Sequence, residues 1–412
     1  MQGKKGILFC GISNGMSDAV LTAKLMGLEV ATITRFPNDK YANLSDKLIV
    51  ANPQDPIQAL KAAKILSKNV KFQGVISIGV ESAISVAEIA SKYALPGPSI
   101  DVAKTCTIKS LRAERLREKN IPTPEFRLIT NEKQGLKAID EIGLPIVVKP
   151  VDNCSAKGVS LVRRREDFAK ALNEAKQFSN VKKIPVILVE KYISGTEHST
   201  EVLTIGSKFY NTGFTDRNYL PEYLPHFVEE GDTLPTRLKS DKKESIESLS
   251  NKAAKALGIK NWVAKGDMVL TDKGPMVFEI ACRIGGPKLG TEIVPLSNGT
   301  NILKAHIQTA LDCKVDRYYL KPKYERGVEF KSFFAKTNGK LVSVTGDETV
   351  SSMKGVYYYA WAKPRKRGTI ILKPRNFTHM LGYIITVGQT SEIAKNIAND
   401  ALKKMRIKCT PL

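Results

Sequence analysis

The chain has 412 residues, 42% of them hydrophobic, and a formal net charge of +23; that length calls for two to three domains with sizeable cores. No window approaches about 20 continuous apolar residues, which excludes a membrane-spanning helix, and six scattered cysteines without a C-x-x-C point to reduced cytoplasmic thiols, not to disulfides or a zinc site. The positive charge is spread along helical stretches (Lys252, Lys255, Lys260) and its densest run, KPRKRGTIILK at 363–373, is broken by strand-like residues; with no zinc-finger, RNA-recognition or basic-zipper pattern, a lysine-rich solvated surface is favoured over a dedicated nucleic-acid site, and its basic field would also draw in anionic substrates such as nucleotides.

The opening MQGKKGILFCGISNG has a short apolar run with no small-residue cleavage site, so residues 6–10 read as a first strand and not as a signal peptide. Helix-like 19–26, strand 28–34, strand 47–50, helix 55–66, strand 74–78 and helix 81–93 follow. Such alternation predicts a parallel sheet with flanking helices. The first turn is not G-x-G-x-x-G and no ribose-binding acid follows, so a structural α/β domain lining part of a cleft is favoured over a dinucleotide site. LPGPS at 95–99 is the first punctuation. A helix carrying Lys109 then runs to about Asn120, where I-P-T-P stops it. Strand 126–130, helix 133–142, strand 144–149, strand 159–162, helix 166–178 and strand 185–192 come next. Between 149 and 159 lies the loop DNCSAKG (152–158), bracketed by Lys149 and Lys157. Its small residues let backbone N–H groups approach phosphate oxygens, although it is not a P-loop, and a plain hairpin turn is the reading favoured from the residues alone.

Residues 265–283, KGDMVLTDKGPMVFEIACR, carry the chemistry. Two apolar runs flank Asp272-Lys273-Gly274, a three-residue hairpin loop ending in glycine. Thr271 then faces Pro275, Val269 faces Val277 and Asp267 faces Glu279. Opposed carboxylates repel unless a cation lies between them. Alternation puts Ala281 and Arg283 on the face of Glu279. A carboxylate pair with an arginine beyond it suits Mg²⁺ holding phosphate oxygens and a guanidinium for the transferred group. A surface hairpin with solvated acids is the competing reading.

Taken together, these stretches resemble the ATP-grasp superfamily over nearly the whole chain. The resemblance implies a mixed α/β and α+β fold with biotin carboxylase-like architecture: an N-terminal parallel-sheet domain (1–106), a two-lobed ATP-grasp domain (107–324, lid lobe about 125–190) and a small β-rich C-terminal domain with a final helix (325–412). It implies ATP and Mg²⁺ as cofactors, with Mn²⁺ an acceptable substitute. Lys109 matches the first ATP lysine and Lys149 the second. Ser155, Lys157 and Gly158 fall in the lid loop, Glu190, Lys191, Tyr192 and Ile193 on the hinge over the adenine, and Glu197 near the ribose. Asp267 and Glu279, with the family's twelve-residue separation, fall on the magnesium carboxylates. Arg283 falls on the arginine that steadies the acyl-phosphate or tetrahedral intermediate, and it and Lys109 are the implied catalytic residues. The family usually reads E-x-N-x-R; here Ala281 replaces the ligating residue, so water or phosphate must fill that position.

Within the superfamily, R-I-G-G-P at 283–287 resembles L-amino acid ligases, and the Glu-His pair and Met-Lys-Met motif of biotin carboxylases are absent. The resemblance implies a ligase that activates a carboxylate as an acyl phosphate, couples it to an amine and releases ADP and phosphate. His226, for proton removal, and Glu229, for a substrate ammonium, are candidate substrate residues with Gly285 and Gly286; an ordered surface loop is the equal alternative for the first two. The partners expected are a small-molecule carboxylate and an amine; a homodimer through the N-terminal domain is the expected assembly, with no nucleic acid and no membrane. A nucleotide-binding regulator of reduced activity, and a purine-pathway or carboxylating ligase, are the alternatives. After Tyr324, strands are expected near 327–334, 355–361 and 383–388 and a helix at 391–405. Tyr357, Tyr358, Tyr359 and Trp361 look like a stacking platform but read better as core plus one sheet face, and Arg365 or Arg367 is placed to reach a carboxylate.

Overall fold

A computed structural model of the protein describes residues 5–412. Its N-terminal sheet is formed by β1 (Gly6–Ile12), β2 (Glu29–Thr34), β3 (Lys47–Val50) and β4 (Phe72–Ile78) in the order β3-β2-β1-β4, every pair parallel. Strand β1 is buried along its whole length, as a strand covered by helices on both faces must be. The carboxyl ends of β1 and β4 run into the turns at Ser13 and Gly79, the side of an open α/β sheet where clefts form.

The lid lobe is an antiparallel sheet, β5 (Phe126–Ile129), β6 (Ile146–Pro150), β7 (Ser160–Val162) and β8 (Ile187–Lys191), in the order β5-β8-β6-β7. It has its own core, with Ile139, Val148, Phe168, Leu172 and Val189 among the buried members. Helix Glu132–Ile142 packs so tightly that a Cβ on Gly135 would meet Phe168 at 2.0 Å, which explains a glycine inside a helix. The Asn131 side chain caps that helix through the Gln134 N–H, an interaction worth about 1 kcal/mol.

The largest sheet collects β9 (Thr196–Ile205), β10 (Lys208–Tyr219), β11 (Glu229–Leu234), β12 (Val263–Thr271), β13 (Gly274–Ala281) and β14 (Gly327–Phe333). After β15 (Gly339–Thr345) come β16 (Val356–Trp361), β17 (Ile370–Ile371), β18 (Gly382–Gly388) and β19 (Arg406–Thr410). The order β13-β12-β9-β10-β11-β14-β18-β16 makes one antiparallel sheet of eight strands; β17-β15-β19 form a separate small one. Helix Ser240–Ala256 covers the back of β12 and β13, and its Ile246 joins Trp262, Met268 and Val277 in the same core as Ile7, Phe9 and Ile76 of the first sheet. One continuous core therefore holds the N-terminal domain against the large sheet, whereas the lid is packed separately.

Several expectations change. The hairpin β12–β13 turns on two residues, with Thr271 opposite Gly274 and Val269 opposite Met276, not Val277. The Thr271 hydroxyl bonds the Lys273 N–H and the Gly274 carbonyl, closing the shorter turn. A bulge between Asp267 and Met268 then adds back one residue, and Asp267 does face Glu279. Residues 229–234 are a strand of the large sheet, not a loop. Strands β10 and β19 lie where no element was expected.

Candidate functional site

A cavity of about 710 Å³ opens between the lid, the face of the large sheet, the N-terminal turns and the C-terminal strands. Alternation along β9, β10 and β11 brings Glu197, Ser199, Glu201, Arg217 and Asp232 to that face, and β12 adds Asp267.

Arg217 is the hub. Its Nη2 lies 2.6 Å from Glu229 Oε2, its Nη1 2.8 Å from Asp267 Oδ1 and 3.9 Å from Glu197 Oε2. Asp267 Oδ1 also takes the Lys265 ammonium and the Ser199 hydroxyl, the latter at 3.0 Å. Burial works against the Asp267 charge, but Arg217 and Lys265 outweigh it and hold the carboxyl below its usual range. Glu279 Oε2 accepts from Arg112 Nη2 at 3.2 Å. It is partly buried, and Arg112, Lys109, Lys265 and Arg283 hold it well below the carboxylate range. Deeper on the same face, Glu201 Oε1 accepts from the Gly285 N–H at 2.6 Å while burial pushes the carboxyl up to about 7. Asp232 is likewise raised to about 7 by burial and by Glu229, although Thr215 donates to it at 2.6 Å.

Lys109, Lys149, Ser155, Lys157, Glu190, Lys191, Tyr192, Ile193, Glu197, Glu229, Asp267, Glu279, Arg283 and Gly286 all line this cavity. Within it, Lys149 and Glu190 are an ion pair at 2.5 Å, and the Lys191 ammonium turns to the Gly143 and Leu144 carbonyls. The Lys109 ammonium rests on the Asn153 carbonyl, and burial lowers its pKa against the pull of Glu279. In the lid loop, Ser155, Ala156 and Gly158 all have positive φ (60°, 56° and 69°). Successive residues in that region turn N–H groups to one side, as in anion-binding nests. Gly158 itself is packed against Phe178, outside the cavity wall.

Two substrate candidates are likewise not brought to the wall. His226 bridges to Ser160 of the lid with its Nδ1 3.8 Å from Glu174, and burial lowers its pKa. Gly285 lies behind the wall on Glu201. Glu229 does line the cavity, but its charge is held by Arg217. Arg365 pairs with Asp347 of its own region, away from the cavity. Of the aromatics on β16, Tyr358 lines the cavity, the Tyr359 and Trp361 rings pack on Phe333, and Tyr357 is half exposed. Sequence reasoning missed Arg112, Arg217, Lys265 and Glu81. The Glu81 signal was present: an acid just past a parallel strand's carboxyl end.

Residues 106–287 match the family described as ATP-grasp domain, and residues 331–410 match L-amino acid ligase C-terminal domain 2. The chain thus carries an ATP-grasp domain followed by an L-amino acid ligase C-terminal domain. The crystal structure of L-amino acid ligase from Bacillus licheniformis superposes with a TM-score of 0.84 at 22% identity, covering 100% of both chains. Phosphoribosylamine–glycine ligase of Methanopyrus kandleri is 24% identical over 404 residues, 90% of this chain and 86% of that protein. D-alanine–D-alanine ligase of Acinetobacter baumannii is 31% identical over 151 residues, 35% of this chain and 46% of that protein.

Proposed function

We propose that the protein is a Mg·ATP-dependent ligase that phosphorylates a carboxylate and couples the acyl phosphate to an amine, an amino acid being one substrate. The observation that carries this reading is the facing pair Asp267 and Glu279 inside a cavity that also holds Lys109, Lys149, Lys265 and Arg283. The donor set fits a divalent cation. Among the described residues, the hydrogen bonds and closest ion pairs of these acids fall on Asp267 Oδ1 and Glu279 Oε2, which leaves Asp267 Oδ2 and Glu279 Oε1 as donors. No cluster of three His, Cys, Asp or Glu exists among those residues, and Ala281 offers no oxygen. Waters and phosphate oxygens complete an octahedron readily. When bound, Mg²⁺ neutralises charge on the transferring phosphoryl group.

The chain's own residues supply the rest. Lys149 and the lid-loop N–H groups hold the nucleotide phosphates, and Glu190 through Ile193 meet the base. Lys109, Lys265 and Arg283 stand where negative charge develops on the transferred group, and fixed cations in a dry site act without reorganising. Glu197, kept protonated more readily by burial, suits a ribose hydroxyl. No helix of the described residues is long and apolar enough to cross a membrane, and all six cysteines are free, in keeping with a cytoplasmic setting. A homodimer remains the proposed assembly, checked by sedimentation velocity.

A phosphate-release screen over amino acid pairs with Mg·ATP tests the activity. ADP and phosphate are expected only when an acid and an amine are both present; AMP and pyrophosphate would refute the mechanism. A second reading is a nucleotide-binding regulator, favoured by Ala281 and by its strand partner Lys265, whose ammonium lies on Asp267. Turnover that Glu279→Ala abolishes rules it out. Dependence on bicarbonate or formate would instead indicate a carboxylating or purine-pathway ligase.

A further inference from the structure

Most acids on the cavity wall are already satisfied. Glu229 and Asp267 are held by Arg217, Glu190 by Lys149, and Asp39 Oδ2 by the Gly15 and Ser17 N–H groups. Glu81 differs. Its Oε2 is 2.9 Å from Arg283, but Oε1 is buried and has no hydrogen-bond partner among the described residues. The side chain is 11% exposed and lines the cavity. A buried carboxylate oxygen without a donor is costly, so a donor arriving in the cavity is favoured there. The turn that carries Glu81 is rigidly placed: Gly79 N–H donates to the Ile284 carbonyl at 3.3 Å, and Ile78 bridges Ile284. Glu81 is thus fixed relative to Arg283, beside the place where a carboxylate is activated.

The same cavity also has an apolar and aromatic wall: Phe36, Tyr358, Phe377, Met380 and Tyr383. That wall is stiff. Tyr358 stacks on Tyr383 at 5.8 Å, Tyr383 meets Phe330 at 5.0 Å in a tilted pair, and Phe377 and Met380 pack into the same cluster. Pre-ordered rings bury an apolar side chain at little entropic cost.

We propose that this cavity binds an amino acid with a large apolar or aromatic side chain, its ammonium on Glu81 Oε1 and its side chain against the Tyr358–Phe377–Met380 wall. The inference deepens the ligase reading and rests on it for turnover, while its binding claim can be measured without catalysis. Titration calorimetry of the full chain with L-phenylalanine, L-leucine, L-alanine, L-glutamate and 3-phenylpropionate separates the two. Phenylalanine and leucine are expected to bind at least about tenfold more tightly than alanine or glutamate, and 3-phenylpropionate, which lacks the ammonium, about tenfold more weakly than phenylalanine. Glu81→Gln keeps a group able to accept from Arg283 and is expected to lose about ten- to a hundredfold in phenylalanine affinity. Tyr358→Ala is expected to erase the preference for large side chains. Alanine or glutamate binding as well as phenylalanine, or Glu81→Gln binding phenylalanine as the native chain does, overturns the inference; the melting temperature of each variant reports whether it folds. If phenylalanine binds as expected but no acid–amine pair releases phosphate, the ligase reading fails and this site stands.

Discussion

Four carboxylates share one face of the large sheet and behave in opposite ways. Asp267 and Glu279 are held charged, whereas Glu201 and Asp232 are pushed up to about 7. Burial raises all four and is deeper at Glu201 and Asp232, 1% and 3% exposed, than at the Asp267 and Glu279 side chains, 15% and 25% exposed; it does not by itself lower any of them. Direct contact does: Asp267 touches Arg217 and Lys265 and Glu279 touches Arg112, whereas Glu201 takes one backbone N–H and Asp232 one hydroxyl. A neutral donor stabilises a carboxylate less than a cation does, and cannot offset full desolvation. The sheet face thus grades from a charged end suited to phosphate and metal to an end that takes up a proton near neutrality.

Removing a member from the charged end is expected to have the largest effect. Glu279→Ala should lower phosphate release by about a hundred- to a thousandfold in a steady-state assay. It also leaves the Arg112 guanidinium, 4% exposed, without a counter-charge. Arg217→Met leaves Glu229 and Asp267 short of their cation; urea denaturation should show a loss of about 3–5 kcal/mol. A loss within about 1 kcal/mol would mean that the hub does not bind the face together. At the other end the readout is pH. Below 4.5 Glu201 is protonated both folded and unfolded; between 4.5 and about 7 the unfolded chain ionises first, so stability falls as pH rises. That contribution is about 3 kcal/mol, and Glu201→Gln should flatten the slope in melting curves across this window. Asp267 and Glu279 act with the opposite sign, contributing stability that is lost as pH falls through the acid range. The smallest effect is expected from Thr215→Val, which removes one hydrogen bond to Asp232 and should cost about 1 kcal/mol.

How much of this was legible depended on periodicity. The facing of Asp267 and Glu279 follows from counting outward from a turn, yet the observed turn is one residue shorter and a bulge restores the pairing; nothing in the local residues marks a bulge. Lys149 and Glu190 were placed by order and spacing along the chain, but their mutual pairing depends on β6 lying beside β8, a long-range fact. Arg217 stayed hidden because β10, KFYNTGFTDRNY, mixes polar residues on both faces and carries a register shift at Asn211–Gly213. The parallel sheet was the easiest part, since its strands are short apolar runs separated by helices.

The large sheet does not stop at residue 324. Strands β14, β18 and β16 extend it past β11, so a fragment ending at 324 would lose three of eight strands and bare the whole edge of β11. An unpaired inner edge is a template for aggregation. Expression trials of that fragment should yield inclusion bodies, and circular permutants are better opened at the exposed tip at Asp272–Lys273, which no other strand overlies.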